Sequence, residues 1–237
     1  MKISVVIPAY NEEAHIDACL SALAKQKRKP DEIIVVDNNS TDKTKEIAEK
    51  YPVSMLSEQK QGISYARDLG FNAAHGDIIV RCDADCIPEP EWISHIEHIM
   101  KDTPYGAITG PLYFYDMPFL SVQLTQLFMG AMLAFQGFYT LNGCNMAIRK
   151  SMWNTVRTDT AEDDQGIQED NDLAIVIATH GGTIGNISSM IMPVSARRIK
   201  GRPKSFFVDY PIRLCRTFAY RWKEARGYRL GKLFYRS

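Results

Sequence analysis

Ile78-Ile79-Val80-Arg81-Cys82-Asp83-Ala84-Asp85, residues 78–85, is the stretch from which the rest of the chain can be read. Three β-favouring apolar residues in succession suit a strand covered on both faces, the usual state of a parallel strand. Two carboxylates follow the strand directly. Upstream, a helical pattern over 62–74 is closed by His75-Gly76. Downstream, Trp92, Ile93, Ile96, Ile99 and Met100 recur at helical spacing. Further out, Ile3–Ile7 and Ile33–Val36 are similar apolar runs that stop at Pro8 and Asp37, and Val53–Leu56 is a weaker third. Between the first two, Ile16, Leu20 and Leu23 mark a helix ended by Pro30. Ser40 or Thr41 is placed to cap another helix running through Lys50.

Strands alternating with helices predict an α/β fold, with a mostly parallel central sheet flanked by helices. In such sheets ligands gather at the carboxyl ends of the strands. Asp37 and Asp83 both lie at strand ends, so they are expected in one crevice.

The second half is less regular. Pro118–Leu141 is rich in Phe, Leu and Met but interrupted by Gln123, Thr125, Gln126, Gly130, Gln136 and Gly137, which suits a core or interfacial helix better than a membrane span. A strand is expected within Asn142–Arg149, a helix over Asp172–His180 ended by Gly181-Gly182, and short strands at Thr183–Ile187 and Met190–Val194. One domain over 1–200 follows, in two halves at 1–112 and 113–200. A basic helical C-terminal extension covers 201–237.

Charge separates the same parts. The formal net charge is +0, yet 196–237 carries 13 Lys/Arg against Asp209 and Glu224, leaving the first 195 residues with 15 basic and 26 acidic side chains. A basic tail on an acidic body suits an anionic partner, whether phospholipid, lipid-linked phosphate or nucleic acid, or else solvated helices with basic faces. Five cysteines without a framework spacing read as reduced thiols of a cytosolic protein, and Cys82-x3-Cys86 lacks the second pair of a zinc site. The apolar run after Met1 is too short for a signal peptide.

Asp83 and Asp85, at i and i+2 past a buried strand, can aim at one point. They would suit a hard divalent cation completed by diphosphate and water. Asp37, followed by Asn38-Asn39-Ser40-Thr41-Asp42, is equally an Asx turn or an acceptor for a base or ribose. Gln168-Glu169-Asp170-Asn171-Asp172 opens a helix, where acidic residues suit the dipole and an ionised general base is also favoured. Asp163 and Asp164 are rivals for that base. Arg67 can contact phosphate or brace an Asp. Arg197-Arg198-Ile199-Lys200-Gly201-Arg202 is a basic loop able to close over phosphates.

Together these segments resemble the family 2 glycosyltransferases, inverting enzymes of the A-type nucleotide-diphospho-sugar transferase fold. The segments that carry the resemblance are Val5-Val6-Ile7-Pro8-Ala9-Tyr10-Asn11-Glu12-Glu13, Glu32–Asp42, Gly62–Asp68 (with Asp68 where Asn is usual), Asp83–Pro88 with Trp92, Asn142–Arg149, and Glu169–Leu173 with Gly181-Gly182. The match covers roughly 3–200. The resemblance implies that Pro8, Ala9, Tyr10, Glu12 and Asp37 hold the nucleotide, with Arg67 beside it. Asp83 would face ribose or a bridging water, and Asp85 would bind Mn2+ or Mg2+ directly. Asp170 would be the catalytic base, which lowers the standing of Asp163 and Asp164. Asn145, Glu169, Arg197 and Arg198 would form the acceptor and diphosphate side, the two arginines from a mobile loop.

The partners expected are a nucleoside-diphosphate sugar and a carbohydrate or lipid-linked acceptor, with peripheral contact to the inner face of a membrane and none with nucleic acid. A sugar nucleotidyltransferase would call for a Gly-rich basic loop after the first strand, where this chain has the acidic Pro8–Glu13. A non-catalytic sugar-nucleotide-binding protein would have no need of Asp83, Asp85 and Asp170 together.

Overall fold

The structure, a computed structural model, describes residues 1–117, 122–162 and 166–234, with side chains as far as Trp222. The rival carboxylates Asp163 and Asp164 lie outside the described residues, as do 118–121. Four parallel strands, β1 (Ile3–Ala9), β2 (Glu32–Asp37), β3 (Ser54–Ser57) and β4 (Ile78–Arg81), alternate with α1 (Ile16–Ala24), α2 (Thr44–Ala48) and α3 (Ile63–Ala73). After α4 (Trp92–Asp102) come β5 (Ala107–Thr109), β6 (Leu112–Phe114), α5 (Val122–Gln136), β7 (Met146–Arg149), α6 (Lys150–Val156) and α7 (Glu169–Thr179). The chain then runs through β8 (Ile184–Asn186), β9 (Met192–Val194), α8 (Arg197–Gly201), a π-helical turn (Ser205–Asp209) and α9 (Tyr210–Phe234).

The main sheet has the order β3-β2-β1-β4-β7-β5-β8, with β6 and β9 forming a separate pair. Apolar residues on the inner strands divide between two layers by alternation. Val5, Ile7, Val35 and Val80 pack against Ile16, Leu20 and Leu23 of α1 and Ile93 and Ile96 of α4. Val6, Val36, Ile79 and Ile148 pack against Phe71 of α3, Trp153 of α6 and Leu173–Ala178 of α7. At Gly70 of α3 an added Cβ would stand 2.4 Å from Val6 Cγ1, so only glycine lets this helix lie so close to β1.

Four differences from the sequence expectations have physical causes. β1 runs through Pro8 to Ala9, because β4 pairs no further than Arg81 opposite Val6 and a residue without an N–H is tolerated beyond that point. α1 ends at Ala24, well short of Pro30. α2 is only Thr44–Ala48, and neither Ser40 nor Thr41 caps it. Both are spent on the preceding loop, where Ser40 Oγ accepts from the Asn11 N–H at 3.0 Å and the Thr41 N–H donates to Asn11 Oδ1 at 2.8 Å. Asp42 Oδ1 takes the Thr44 N–H at 3.0 Å instead. Lastly, β7 enters the sheet antiparallel between β4 and β5 and is shorter than 142–149, since 142–145 turns back on itself through the Asn145 N–H to Asn142 O bond of 2.8 Å.

α5 is the helix expected from the Phe/Met-rich segment, and no helix among the described residues is long and apolar enough to cross a membrane. α9 is no loose tail at its start. Arg221 Nε donates to Asp172 Oδ1 of α7 at 2.7 Å, and Thr217 Oγ1 accepts from the Gln168 N–H at 2.8 Å.

Candidate active site

The carboxyl ends of β1, β2 and β4 deliver three loops to one edge of the sheet. Asn11 and Asn39, in the loops after β1 and β2, take the left-handed conformation that Asn tolerates, with φ of 53° and 62°. The loop after β4 carries Asp83 and Asp85. Because β7 runs antiparallel, its first residue, Met146, pairs with Arg81 at the last residue of β4. The turn 142–145 is therefore delivered to the same edge, beside Asp83. The amino end of α7 and the 195–198 segment complete a cavity of about 1090 Å³, lined by Asp83, Asp85, Gly143, Glu169, Asp170 and Arg198 among others.

Two clusters of charge organise the floor. In the first, Arg81 is buried and bridges two acids, with Nη2 at 3.1 Å from Asp83 Oδ1 and Nη1 on Glu169 Oε1. Glu169 Oε2 accepts from Arg67 Nη1 at 2.7 Å, and Arg67 Nε reaches Asp68 Oδ1 at 2.7 Å. Burial alone would raise the Glu169 carboxyl, but the guanidiniums of Arg81 and Arg67 hold it below the ordinary value. Asp170 is the next residue on the same helix. Its Oδ1 accepts from the Asn171 N–H at 2.8 Å and its Oδ2 from the Gly143 N–H at 3.3 Å. Burial, and then the Glu169 carboxylate, push Asp170 up to about 6 against the pull of Arg81 and those two N–H groups. A half-buried carboxylate ionised at neutral pH, yet basic enough to take a proton, is what general-base work requires.

In the second cluster Arg197 joins Asp85 to Glu12. Its Nε donates to Asp85 Oδ2 at 2.8 Å and its Nη2 to Glu12 Oε1. Glu12 is buried, and its Oε2 has no hydrogen-bond partner among the described residues, with His15 Nδ1 3.6 Å away. Burial raises its carboxyl to about 7, with Arg197 opposing and Asp85 adding to the rise. The loop behind Arg197 is tied down at Asp116, which accepts from the Ala196 N–H at 2.6 Å and from Lys200 Nζ at 3.1 Å.

Asp83 and Asp85 are hard oxygen donors, and each already holds a guanidinium, so the position attracts positive charge. No group of three His, Cys, Asp or Glu able to hold a metal ion occurs among the described residues. A two-carboxylate donor set fits Mg2+ or Mn2+, which take phosphate and water as their remaining ligands. The neighbouring thiols of Cys82 and Cys86 are buried and pushed upward, the first by its hydrogen bond with Cys19 and by burial, the second by burial and Cys144.

Asp83, Asp85, Glu169, Asp170 and Arg198 face one cavity. Pro8, Ala9, Tyr10, Glu12 and Asp37 lie along the neighbouring strand ends, with Tyr10 exposed and Asp37 buried, its Oδ1 accepting from the Ser40 N–H at 3.3 Å. Arg67 is wholly buried, and it braces Asp68 and Glu169. Asn145, expected on the acceptor side, is not among the residues lining this cavity. It is fully buried, with its Nδ2 given to Pro111 O and Met190 O at 3.0 and 2.6 Å and its Oδ1 taken by Trp92 Nε1 at 3.0 Å, so its amide is spent on holding three loops together. Sequence reasoning missed Arg81, although an arginine inside an apolar strand two residues from an Asp was a readable signal. It also missed Gly143, where an added Cβ would stand 2.9 Å from Arg81 Nη2.

Residues 4–161 match Glycosyl transferase family 2. A probable glycosyltransferase of Bacillus subtilis, YdaM, is 32% identical over 203 residues, covering 76% of this chain and 47% of the relative. The dolichol-phosphate mannosyltransferase of Pyrococcus furiosus is 37% identical over 108 residues, 43% of this chain and 31% of that protein. The chain spans less than half the length of the curated relatives it matches. Among solved structures, glucosyl-3-phosphoglycerate synthase from Mycobacterium tuberculosis, in complex with Mn2+, UDP and glucosyl-3-phosphoglycerate, superposes with a TM-score of 0.61 at 20% identity, over 84% of this chain and 74% of that one. The sheet order and these likenesses define the A-type nucleotide-sugar transferase fold. With the match extending over residues 4–161, the chain belongs to glycosyltransferase family 2.

Proposed function

We propose that the chain moves a sugar from a nucleoside-diphosphate sugar, with uridine as its base, to an acceptor hydroxyl by a single displacement with inversion. The observation that carries this reading is Asp170, raised to about 6 and facing the same cavity as Asp83 and Asp85. In it, Asp170 takes the acceptor proton as the acceptor oxygen attacks the anomeric carbon. The bond from that carbon to the diphosphate breaks, and the diphosphate leaves with the electron pair from the opposite face. No covalent sugar–enzyme species is needed.

Glu12, Asp37, Tyr10 and the backbone of Pro8 and Ala9 hold the nucleotide, with Asp37 on the base. Arg67 acts from behind, through Glu169. Arg197 and Arg198 turn toward the diphosphate. Asp85, with Asp83 beside it, would hold Mn2+ or Mg2+, which when bound would supply positive charge to the departing diphosphate. The Mn2+ and UDP named with the M. tuberculosis synthase support this choice. The acceptor is carbohydrate or lipid-linked, in glycolipid or cell-envelope polysaccharide synthesis; the name of the P. furiosus relative, a dolichol-phosphate mannosyltransferase, supports the lipid-linked choice.

A panel of nucleotide sugars with Mn2+ tests the reading. One donor should be turned over, and Asp170→Asn should bind UDP as the parent does while transfer is abolished. Unchanged transfer by that variant would overturn it.

A further inference from the structure

α5 buries Met129 and Met132 and exposes Gln123, yet it also turns four large apolar side chains to water. A surface helix turns polar residues outward and apolar ones inward. Here Thr125 Oγ1 donates inward to Leu112 O at 3.0 Å, Gln126 Oε1 accepts from Asn186 Nδ2 at 2.8 Å, and Gln136 is buried with its Nε2 on Phe138 O. Leu124, Leu127, Phe128 and Phe135 are exposed, Leu127 at 70%. Their spacing of three, one and seven residues places them on one stripe. The helix contains no charged residue.

The same edge continues on the C-terminal segment. Phe207, Val208, Tyr210 and Ile212 are exposed, and Phe135 stacks edge-on against Phe218 of α9 with centroids 4.9 Å apart. Leu124, Phe128, Phe207 and Ile212 are both exposed and lining residues of the active-site cavity, so they form its rim. The cavity thus opens between two apolar ridges. The C-terminal segment is also basic: Arg202 and Lys204 are exposed, as is Arg216, which lines the cavity, in a segment carrying 13 Lys/Arg against two acids.

We infer that this edge, the outer stripe of α5 together with residues 207–212, seats in an anionic bilayer surface, so that an amphiphilic acceptor passes sideways from the bilayer into the cavity. The α5 stripe is uncharged, and although Asp209 is an exposed acid within 207–212, the exposed Arg202, Lys204 and Arg216 outnumber it, a combination that matches the hydrocarbon boundary and anionic headgroups together. The patch does not depend on the proposed chemistry, whereas the sideways passage of an acceptor rests on the glycosyl-transfer reading above.

The test uses vesicle flotation with the whole chain, on phosphatidylcholine vesicles with and without phosphatidylglycerol. Leu127 and Val208 are exposed and do not line the cavity, so Leu127→Glu with Val208→Glu leaves the site intact. The parent should float with the anionic vesicles, and the double variant should lose roughly tenfold or more in partition, because two inserted apolar groups become carboxylates facing anionic lipid. Donor hydrolysis in the absence of vesicles should be equal in the two proteins. Failure of the parent to bind, equal binding of parent and variant, or a parent that is a dimer dissociated by the two substitutions without binding vesicles, each overturns the inference. Absence of donor hydrolysis in both proteins sinks the catalytic reading instead and leaves the vesicle result to stand alone.

Discussion

Arg197 Nε lies 2.8 Å from Asp85 Oδ2, and the same guanidinium reaches Glu12, so a side chain of the protein occupies the position where the donor's cation would balance these acids. Removing it should free the carboxylates. An ion pair to a partly exposed guanidinium contributes on the order of 1 kcal/mol, which corresponds to about fivefold in affinity. Arg197→Ala should therefore bind Mn2+ alone about fivefold more tightly, followed by electron paramagnetic resonance, while UDP binding in the presence of Mn2+ weakens. Weaker Mn2+ binding by the variant would show that the guanidinium does not compete with the cation.

The value of about 6 at Asp170 sets an acid limit on transfer. The base must be deprotonated, so kcat/KM should fall as pH drops through about 6 and level off above it. The sign for stability is the opposite. A carboxyl whose folded value lies above its unfolded one contributes stability below the unfolded value, and that contribution is lost as pH rises through about 6. At neutral pH the ionised Asp170 is thus a burden. Asp170→Asn should raise the chain's resistance to denaturant by on the order of 1–2 kcal/mol, even as transfer disappears.

Gly143 and Gly130 make opposite predictions for the same change. A methyl at Gly143 would meet the Arg81 guanidinium at 2.9–3.0 Å, displacing the bridge between Asp83 and Glu169 and with it the N–H that holds Asp170. Misplacing a base by a fraction of an ångström is costly, so Gly143→Ala should lose about one to two orders of magnitude in kcat. At Gly130, within α5, a methyl meets nothing within 4 Å. Gly130→Ala should leave kcat alone and stabilise by about 0.5–1 kcal/mol, readable as a higher thermal midpoint.

Asp172 is wholly buried and holds Arg221 of α9. Removing one member of a buried pair leaves an uncompensated charge, at a cost of roughly 3–5 kcal/mol. Arg221→Ala should lower the urea midpoint accordingly. By the same reasoning, deleting 201–237 strips Asp172 of its partner, so the truncated chain should be destabilised as well as shortened.

How far the sequence reached depended on the range of the interactions. The strands at 3–9 and 78–81 are fully covered and that at 32–37 is covered from Ile34 onward, so their apolar runs announce them. Asp83, Asp85 and Asp170 follow such runs or open a helix with a regular pattern, and they too were legible. β5 and β6 have three residues each, too few to show any periodicity. The antiparallel entry of β7 is set by partners far along the chain and leaves no local trace. Asn145 shows the ambiguity at its sharpest: a polar amide in a glycine-containing turn looks the same whether it meets a ligand or three carbonyl and indole partners. Arg221 escaped because its acid lies 49 residues away; Arg81 had a local cue in Asp83, two residues on, but its second acid, Glu169, lies 88 residues away.

The antiparallel β7 has a kinetic consequence. Val5 finds Ile33 after 28 residues, whereas Ile79 must wait for Ile148, 69 residues on. Closing the longer loop costs more entropy and is the slower event. The loops after β1 and β2 belong to the early pairing, whereas β4, with Asp83 and Asp85 behind it, joins β1 only across 75 residues, and Gly143 arrives with β7 on a similar scale. A refolding chain should therefore form the β1–β2 edge first and regain the Asp83–Asp85 loop and the Gly143 turn together, so that cation binding and turnover return in step.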